Sequence, residues 1–307
     1  MPADTGFLAS SRVLPVRRRL PGPRVCLELL KPVTWFAPVW AFFSGVISSG
    51  RPLGAHWPVI LMGLLLAGPM VCGTSQAVND WFDRHVDAIN EPGRPIPSGR
   101  MPGRWGLYIG VIWTAASVLL AAALGRWGLA AGVVALALAW AYSAPPLRLK
   151  RNGYLGNLAV GICYEGVPWF TGAAVMTGQL PTAPVLLLAA LYSFGAHGIM
   201  TLNDFKSVEG DRAMGIRSLP AMLGAPRAAN LACVVMILPQ LVVIFLLLLN
   251  QHRLAGVAVT ALVVIQMFLM VEFLDKPKER AIWYNSTGTT LYVAGMLICA
   301  FAVAPAA

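Results

Sequence analysis

The chain has 307 residues, 57% hydrophobic and only 12% charged, with a mean hydropathy of +0.68, where a soluble domain carries about 25% charged residues. That composition excludes a water-soluble globular protein and points to a polytopic membrane protein. The net charge of +10 does not indicate nucleic acid, because Lys and Arg sit between apolar runs and form no basic stripe with interleaved aromatics.

Residues 1–32 read as a basic N-terminal arm. Arg17, Arg18 and Arg19 lead into LPGPRVCLELLKP, which is too polar and Pro-rich for the apolar core of a signal peptide. A short interfacial helix is expected around Arg24–Lys31. Residues 33–307 read as a single all-α transmembrane domain. A spanning helix needs about 20 mostly apolar residues, and nine candidates follow: Val33–Ser49, Trp57–Val78, Trp105–Leu124, Trp127–Ser143, Gly156–Met176, Ala183–Leu202, Ala228–Leu249, Leu254–Phe273 and Ser286–Ala304. Trp57, Trp105, Trp127 and Tyr142 stand at span ends, as interfacial anchors do. The five cysteines are scattered, with no CxxC, and read as small buried hydrophobes.

Orientation follows from the loops. With the N-terminus in the cytoplasm, 20 of the 23 Lys and Arg residues fall on that side, and only Arg51, Arg126 and Arg253 on the other. The positive-inside rule therefore puts the N-terminus in the cytoplasm.

The most polar stretch, NDWFDRHVDAINEPGRPIPSG (Asn79–Gly99), closes the second span. Asp80, Asp83 and Asp87 share one helix face over about two turns. Like charges so close repel, so the stripe needs a cation, and carboxylates without Cys or His select a hard one, Mg²⁺ first. A second copy, NDFKSVEGDRAMGIRSLP (Asn203–Pro220), closes the sixth span 124 residues later. Asp204 and Asp211 match Asp80 and Asp87, Ser207 replaces Asp83, and Glu209 stands nearby as a substitute acid. Both copies run on to an Arg, Arg94 or Arg217. Four spans separate them, which predicts a parallel repeat of about 33–155 and 156–273, with a final helix at about 286–304, around a site near the repeat interface.

A third stretch, YSAPPLRLKR (Tyr142–Arg151), ends the fourth span with Pro-Pro and then places three cations within four residues. Alone it is an ordinary positive-inside loop; beside two acidic motifs on the same face it reads as a phosphate clamp. Acids holding Mg²⁺ with Arg and Lys around them suit a diphosphate, whose leaving-group charge the metal neutralises. Nothing indicates covalent catalysis: the chain has no GxSxG, Walker A loop or HExxH. His197 and Glu165 lie inside spans, and intramembrane ionisable residues are functional candidates, with a packing or hydrogen-bonding role the alternative for each.

The three motifs resemble those of the UbiA-type intramembrane prenyltransferase superfamily: NDxxDxxxD at Asn79–Asp87, the second acidic motif at Asn203–Asp211, and YSxPPxxxKR at Tyr142–Arg151. Within it, DAINEPGRPIPSG and NDFKSVEGDRAMGIRSLP are similar to the chlorophyll and bacteriochlorophyll synthase group, and TSQAVNDWFDRHVDAINEP most resembles the bacteriochlorophyll enzymes. The resemblance implies a nine-helix bundle around a central cavity capped on the cytoplasmic side. It implies Mg²⁺ held by Asp80, Asp83, Asp87, Asp204 and Asp211, with Glu209 in place of the missing acid and Asn79 and Asn203 supporting the metal shell. Arg94, Lys150, Arg151, Arg217 and Tyr142 would grip the diphosphate. The implied reaction transfers a geranylgeranyl or phytyl group from its diphosphate to the propionate of bacteriochlorophyllide a, in a bacterial cytoplasmic or intracytoplasmic membrane, with other pigment-biosynthesis proteins as expected partners. His197 or Glu165 would orient the acceptor or shape the tail tunnel. Chlorophyllide, quinone-precursor or haem prenylation on the same fold is the alternative acceptor chemistry. A cation-coupled transporter is the alternative of another class, disfavoured because 12 of the 13 acids fall outside the spans or near their cytoplasmic ends.

Overall fold

A computed structural model describes residues 20–305, so most of the expected basic arm, residues 1–19, lies outside the described residues. Where the arm reaches the bundle, an eight-residue helix, α1 (Pro23–Leu30), occupies the place expected for an interfacial segment. Proline is tolerated at its first turn, where no intrahelical N–H is required. The chain then turns at Lys31, in the left-handed region with φ 46°, and α2 (Phe36–Ser48) departs at 55° to the preceding helical stretch.

The next element is the longest. α3 (Gly54–Asn90) is one rod of 37 residues, α-helical at Trp57–Leu65, π-helical at Leu66–Cys72 around Pro69, and α-helical again at Gly73–Asn90. At 1.5 Å per residue such a rod spans about 55 Å, against about 30 Å of hydrocarbon, so nearly half of it exceeds the apolar layer. Its last turns carry the first acidic motif. The second span thus runs well past the expected end at Val78, because helical order does not stop where hydropathy falls.

The bundle continues with α4 (Trp105–Ala123), α5 (Gly125–Ser143), α6 (Gly153–Thr177), α7 (Ala183–Asp204), the short α8 (Val208–Ala213) and α9 (Leu219–Leu223), α10 (Ala225–Leu249), α11 (Arg253–Asp275) and α12 (Pro277–Val303). Among the described residues eight helices are long and apolar enough to cross a membrane, or nine if the bent pair Pro23–Thr34 and Phe36–Ser48 is one span. Among the described residues no strand forms, and one isolated bridge joins Asn152 and Arg217. The all-α multi-span architecture agrees with the sequence expectation. The last helix starts at Pro277, not near Ser286, because Lys278, Glu279 and Arg280 lower hydropathy without interrupting the helix.

α7 sits at the centre, against α6, α10 and α12. Its Tyr192 packs with Trp169 of α6 and Tyr292 of α12 in the main buried cluster. Small residues let backbones meet directly, as in membrane bundles generally. A Cβ at Gly45 of α2 would fall onto the carbonyl of Trp169, and one at Gly172 of α6 onto that of Phe42. Exposed Phe245, Leu254, Phe268 and Val271 give α10 and α11 an apolar outer face, as lipid contact requires.

Candidate active site

The outer end of α3 delivers Asp80, Asp83 and Asp87, all buried, along one face of a single helix, as their spacing predicts. The second motif is built differently. α7 ends at Asp204, and Asp211 lies on the separate short helix α8. The two motifs touch: the Asn90 side chain, at the end of α3, accepts a hydrogen bond from the Gly210 N–H at 3.0 Å. A Cβ at Gly210 would fall onto the Asn90 amide, so this junction requires glycine.

The third motif closes the same region. Asn152 caps α6, its Oδ1 accepting from the N–H groups of Tyr154 and Leu155 at 3.0 and 3.2 Å. The backbone on either side is stitched to the second motif, Gly153 N–H to the Arg217 carbonyl at 2.9 Å and Arg217 N–H to the Arg151 carbonyl at 3.1 Å. Arg151 and Arg217 therefore join the motifs through their main chains, while their side chains are exposed and outside the cavity wall.

These elements enclose one cavity of about 700 Å³. Asn79, Asp83, Asp87, Arg94, Tyr142, Lys150, Asn203, Asp204 and Asp211 line its polar end. Val71, Ala67 and Leu66 of α3, Ala131 and Ala135 of α5, and Pro168 and Thr171 of α6 line the rest. The cavity is thus charged at one end and apolar along its depth.

Four cations hold the acids of the first motif. Lys31 Nζ is 2.6 Å from Asp80 Oδ1. Arg94 bridges Asp80, Asp87 and Glu91 at 3.2, 2.9 and 2.7 Å. Lys150 pairs with Asp83, which Arg148 approaches at 3.4 Å and Asn79 bonds at 2.8 Å. In the second motif Asn157 donates to Asp204 at 3.2 Å and Asn285 to Asn203 at 2.8 Å. Burial pushes the Asp211 carboxyl above its ordinary range, against Ser218 and Lys150. Burial likewise pushes the Lys150 ammonium down to about 8, against the Asp211 and Asp80 carboxylates.

Among the described residues no three His, Cys, Asp or Glu side chains converge as a ready-made metal cage. The donor set still fits a hard cation. Mg²⁺ is held by one or two carboxylates plus substrate phosphates more often than by a full protein shell. Asp80 itself lies outside the cavity wall, with its Oδ2 buried and without a hydrogen-bond partner, while Asp83, Asp87, Asp204 and Asp211 line the polar end of the cavity. Glu209 does not join them: it is exposed and outside the wall, which counts against it as the substitute acid. The inner-span candidates separate too. Glu165 is buried and lines the cavity, with Oε2 unpartnered. His197 is buried outside the wall, its ring 6.3 Å from that of Tyr154.

Sequence reasoning passed over Lys31, Asn157, Lys206 and Asn285, all in the cavity wall. Lys31 was counted only as a positive-inside charge. Asn157 carried a usable signal, an amide inside an apolar run that needs a partner.

Residues 37–287 match the model of the UbiA prenyltransferase family. The chain is 54% identical over 286 residues, 93% of its length and 95% of the relative's, to a bacteriochlorophyll synthase 33 kDa chain of Cereibacter sphaeroides. It is 37% identical over 294 residues to a chloroplastic chlorophyll synthase of Avena sativa, covering 91% of this chain and 76% of that one. In fold it is similar to a UbiA homolog from Archaeoglobus fulgidus bound to GPP and Mg²⁺, with a TM-score of 0.70 at 18% identity, covering 91% of this chain and 99% of that one.

Proposed function

We propose a specific reaction for this chain, which belongs to the UbiA prenyltransferase family. It transfers a geranylgeranyl or phytyl group from its diphosphate to the propionate carboxylate of bacteriochlorophyllide a. The observation that carries this reading is the 54% identity to a bacteriochlorophyll synthase chain across 93% of the sequence; the 37% identity to a chlorophyll synthase makes chlorophyllide the nearest competing acceptor. The cavity supports the donor class, since a charged end above an apolar tunnel matches a diphosphate joined to a long hydrocarbon.

In this reading Asp80, Asp83, Asp87, Asp204 and Asp211 hold Mg²⁺, with Asn79 and Asn203 as supports. When bound, the metal neutralises charge on the departing diphosphate. Lys31, Arg94 and Lys150 supply fixed positive charge at the same place, where it acts on the leaving group without reorganisation. The apolar wall keeps water from the allylic carbon as its bond to oxygen lengthens. A propionate with a pKa near 4 is already ionised at neutral pH, so no general base is needed. Glu165 faces the tunnel, whereas His197 serves packing. The Lys and Arg distribution supports a cytoplasmic N-terminus, with the charged end of the cavity opening to the cytoplasm.

The test is esterification by the detergent-purified full chain, given geranylgeranyl diphosphate with bacteriochlorophyllide a or chlorophyllide a, with Mg²⁺ or with EDTA. The expected result is Mg²⁺-dependent esterification that favours bacteriochlorophyllide. Preference for chlorophyllide would change the acceptor, and no ester with either pigment would refute the pigment assignment.

A further inference from the structure

Between the charged cap and the apolar tunnel lies a band of neutral polar side chains, the waist of the cavity. On α3 the cavity-lining residues step down from Asp83 and Asn79 to Gln76 and Cys72, then to apolar Val71 and Ala67. Gln76 is four residues before Asp80, about 6 Å deeper along the helix. Tyr164, on the π-helical segment Ile162–Gly166 of α6, meets it in the cavity wall. Gln76 Nε2 donates to the Tyr164 hydroxyl oxygen at 2.8 Å, and Cys72 Sγ approaches the same oxygen at 3.3 Å. An amide N–H only donates, so the phenolic proton points away from Gln76. π-helical segments inside α-helices occur frequently at functional sites, and one lies on each side of this waist.

The donor's geometry makes the waist the place of reaction. With the diphosphate among the cations and the hydrocarbon in the tunnel, the carbon that changes partners must lie between them. An acceptor carboxylate brought there cannot use Lys31, Arg94 or Lys150 without competing with the diphosphate. A neutral donor orients it without that competition.

We propose that the Tyr164 hydroxyl, backed by Gln76, binds one oxygen of the acceptor carboxylate and presents the other to the reacting carbon of the prenyl donor. This assignment rests on the reading of a carboxylate acceptor given above. In the transfer step, the free carboxylate oxygen forms the new C–O bond as the bond from that carbon to the diphosphate breaks. The electron pair leaves on the diphosphate, and Tyr164 keeps its proton throughout.

The experiment compares binding of bacteriochlorophyllide a with that of its methyl ester, which has no carboxylate, to wild type and to Tyr164→Phe, by pigment fluorescence in detergent. Turnover is measured alongside. A hydrogen bond to a charged group makes the acid bind roughly tenfold to hundredfold more tightly than the ester in wild type. Tyr164→Phe removes that preference and raises KM for the acid by the same factor, leaving KM for geranylgeranyl diphosphate unchanged. Gln76→Leu, which keeps the phenol and frees its orientation, gives a smaller loss of the same kind. If Tyr164→Phe keeps the acid preference, or if KM for the diphosphate rises with that for the acid, the assignment is overturned. If wild type esterifies neither pigment but prenylates an acceptor without a carboxylate, the pigment reading falls first and this assignment with it.

Discussion

Lys31→Met is the sharpest test of the charged end. The substitution keeps an unbranched side chain of similar length and removes the cation 2.6 Å from Asp80. Asp80 is fully buried, and among the described residues the one other cation ion-paired with it is Arg94 at 3.2 Å, shared with Asp87 and Glu91. At an effective dielectric constant of about 20, two charges at this separation attract by roughly 6 kcal/mol, most of it offset by the cost of desolvating them. Breaking a buried pair costs about 3–5 kcal/mol; with Arg94 remaining and Lys31 about one-fifth exposed, the cost falls below that range, to about 2–3 kcal/mol. For catalysis, one charge-assisted contact to diphosphate is worth about 1.5–3 kcal/mol, so kcat/KM for the prenyl diphosphate falls roughly ten- to hundredfold. Initial rates at limiting prenyl diphosphate measure this, and a melting curve in detergent measures the stability loss. Asp80→Asn with Lys31→Met loses little more than Asp80→Asn alone, because the two groups act as one unit. The exposed Glu28–Arg100 pair at 2.5 Å is the control: Glu28→Gln shifts stability by about 1 kcal/mol or less. A Lys31→Met protein with kcat/KM within twofold of wild type would refute the reasoning.

Three further predictions follow from the same geometry. Glu209→Gln, Arg151→Ala and Arg217→Ala keep turnover within a few-fold of wild type, because those side chains lie outside the cavity wall, whereas Lys150→Ala loses it by a factor of roughly a hundred or more; a collapse in the first three would restore them to the site. Gly210→Ala destabilises the protein by about 1–3 kcal/mol through overpacking against Asn90, and Asn90→Ala in the same chain recovers part of the loss, as thermal melts in detergent would register. Lys150 loses its charge as pH rises through about 8, so kcat/KM for the prenyl diphosphate, which reports the free enzyme, declines between pH 7.5 and 9; Lys150→Arg flattens that limb, since guanidinium keeps its proton there.

Much of this protein was legible from the order of its residues. Apolar runs marked nearly every span because a helix crossing the hydrocarbon layer needs about 20 mostly apolar residues, and lipid forces such a segment to be helical so that its backbone is satisfied internally. The Asp80, Asp83 and Asp87 stripe was legible because all three lie on one helix, where spacing alone sets the face. What the order of residues left open depends on contacts between distant segments. Lys31 meets Asp80 only because α1 ends in a left-handed turn that brings its C-terminus over α3. Glu209 and Asp211 look equivalent on paper, yet the break after Asp204 starts a new short helix that buries one and exposes the other. Arg151 and Arg217 belong to the motifs that form the site, but their main chains make the junction and their side chains point elsewhere. Gln76 and Tyr164 are 88 residues apart and carry no shared pattern; only the packing of α3 against α6 makes them one feature. Local periodicity determines which residues share a helix face, and tertiary packing decides which of those faces meet.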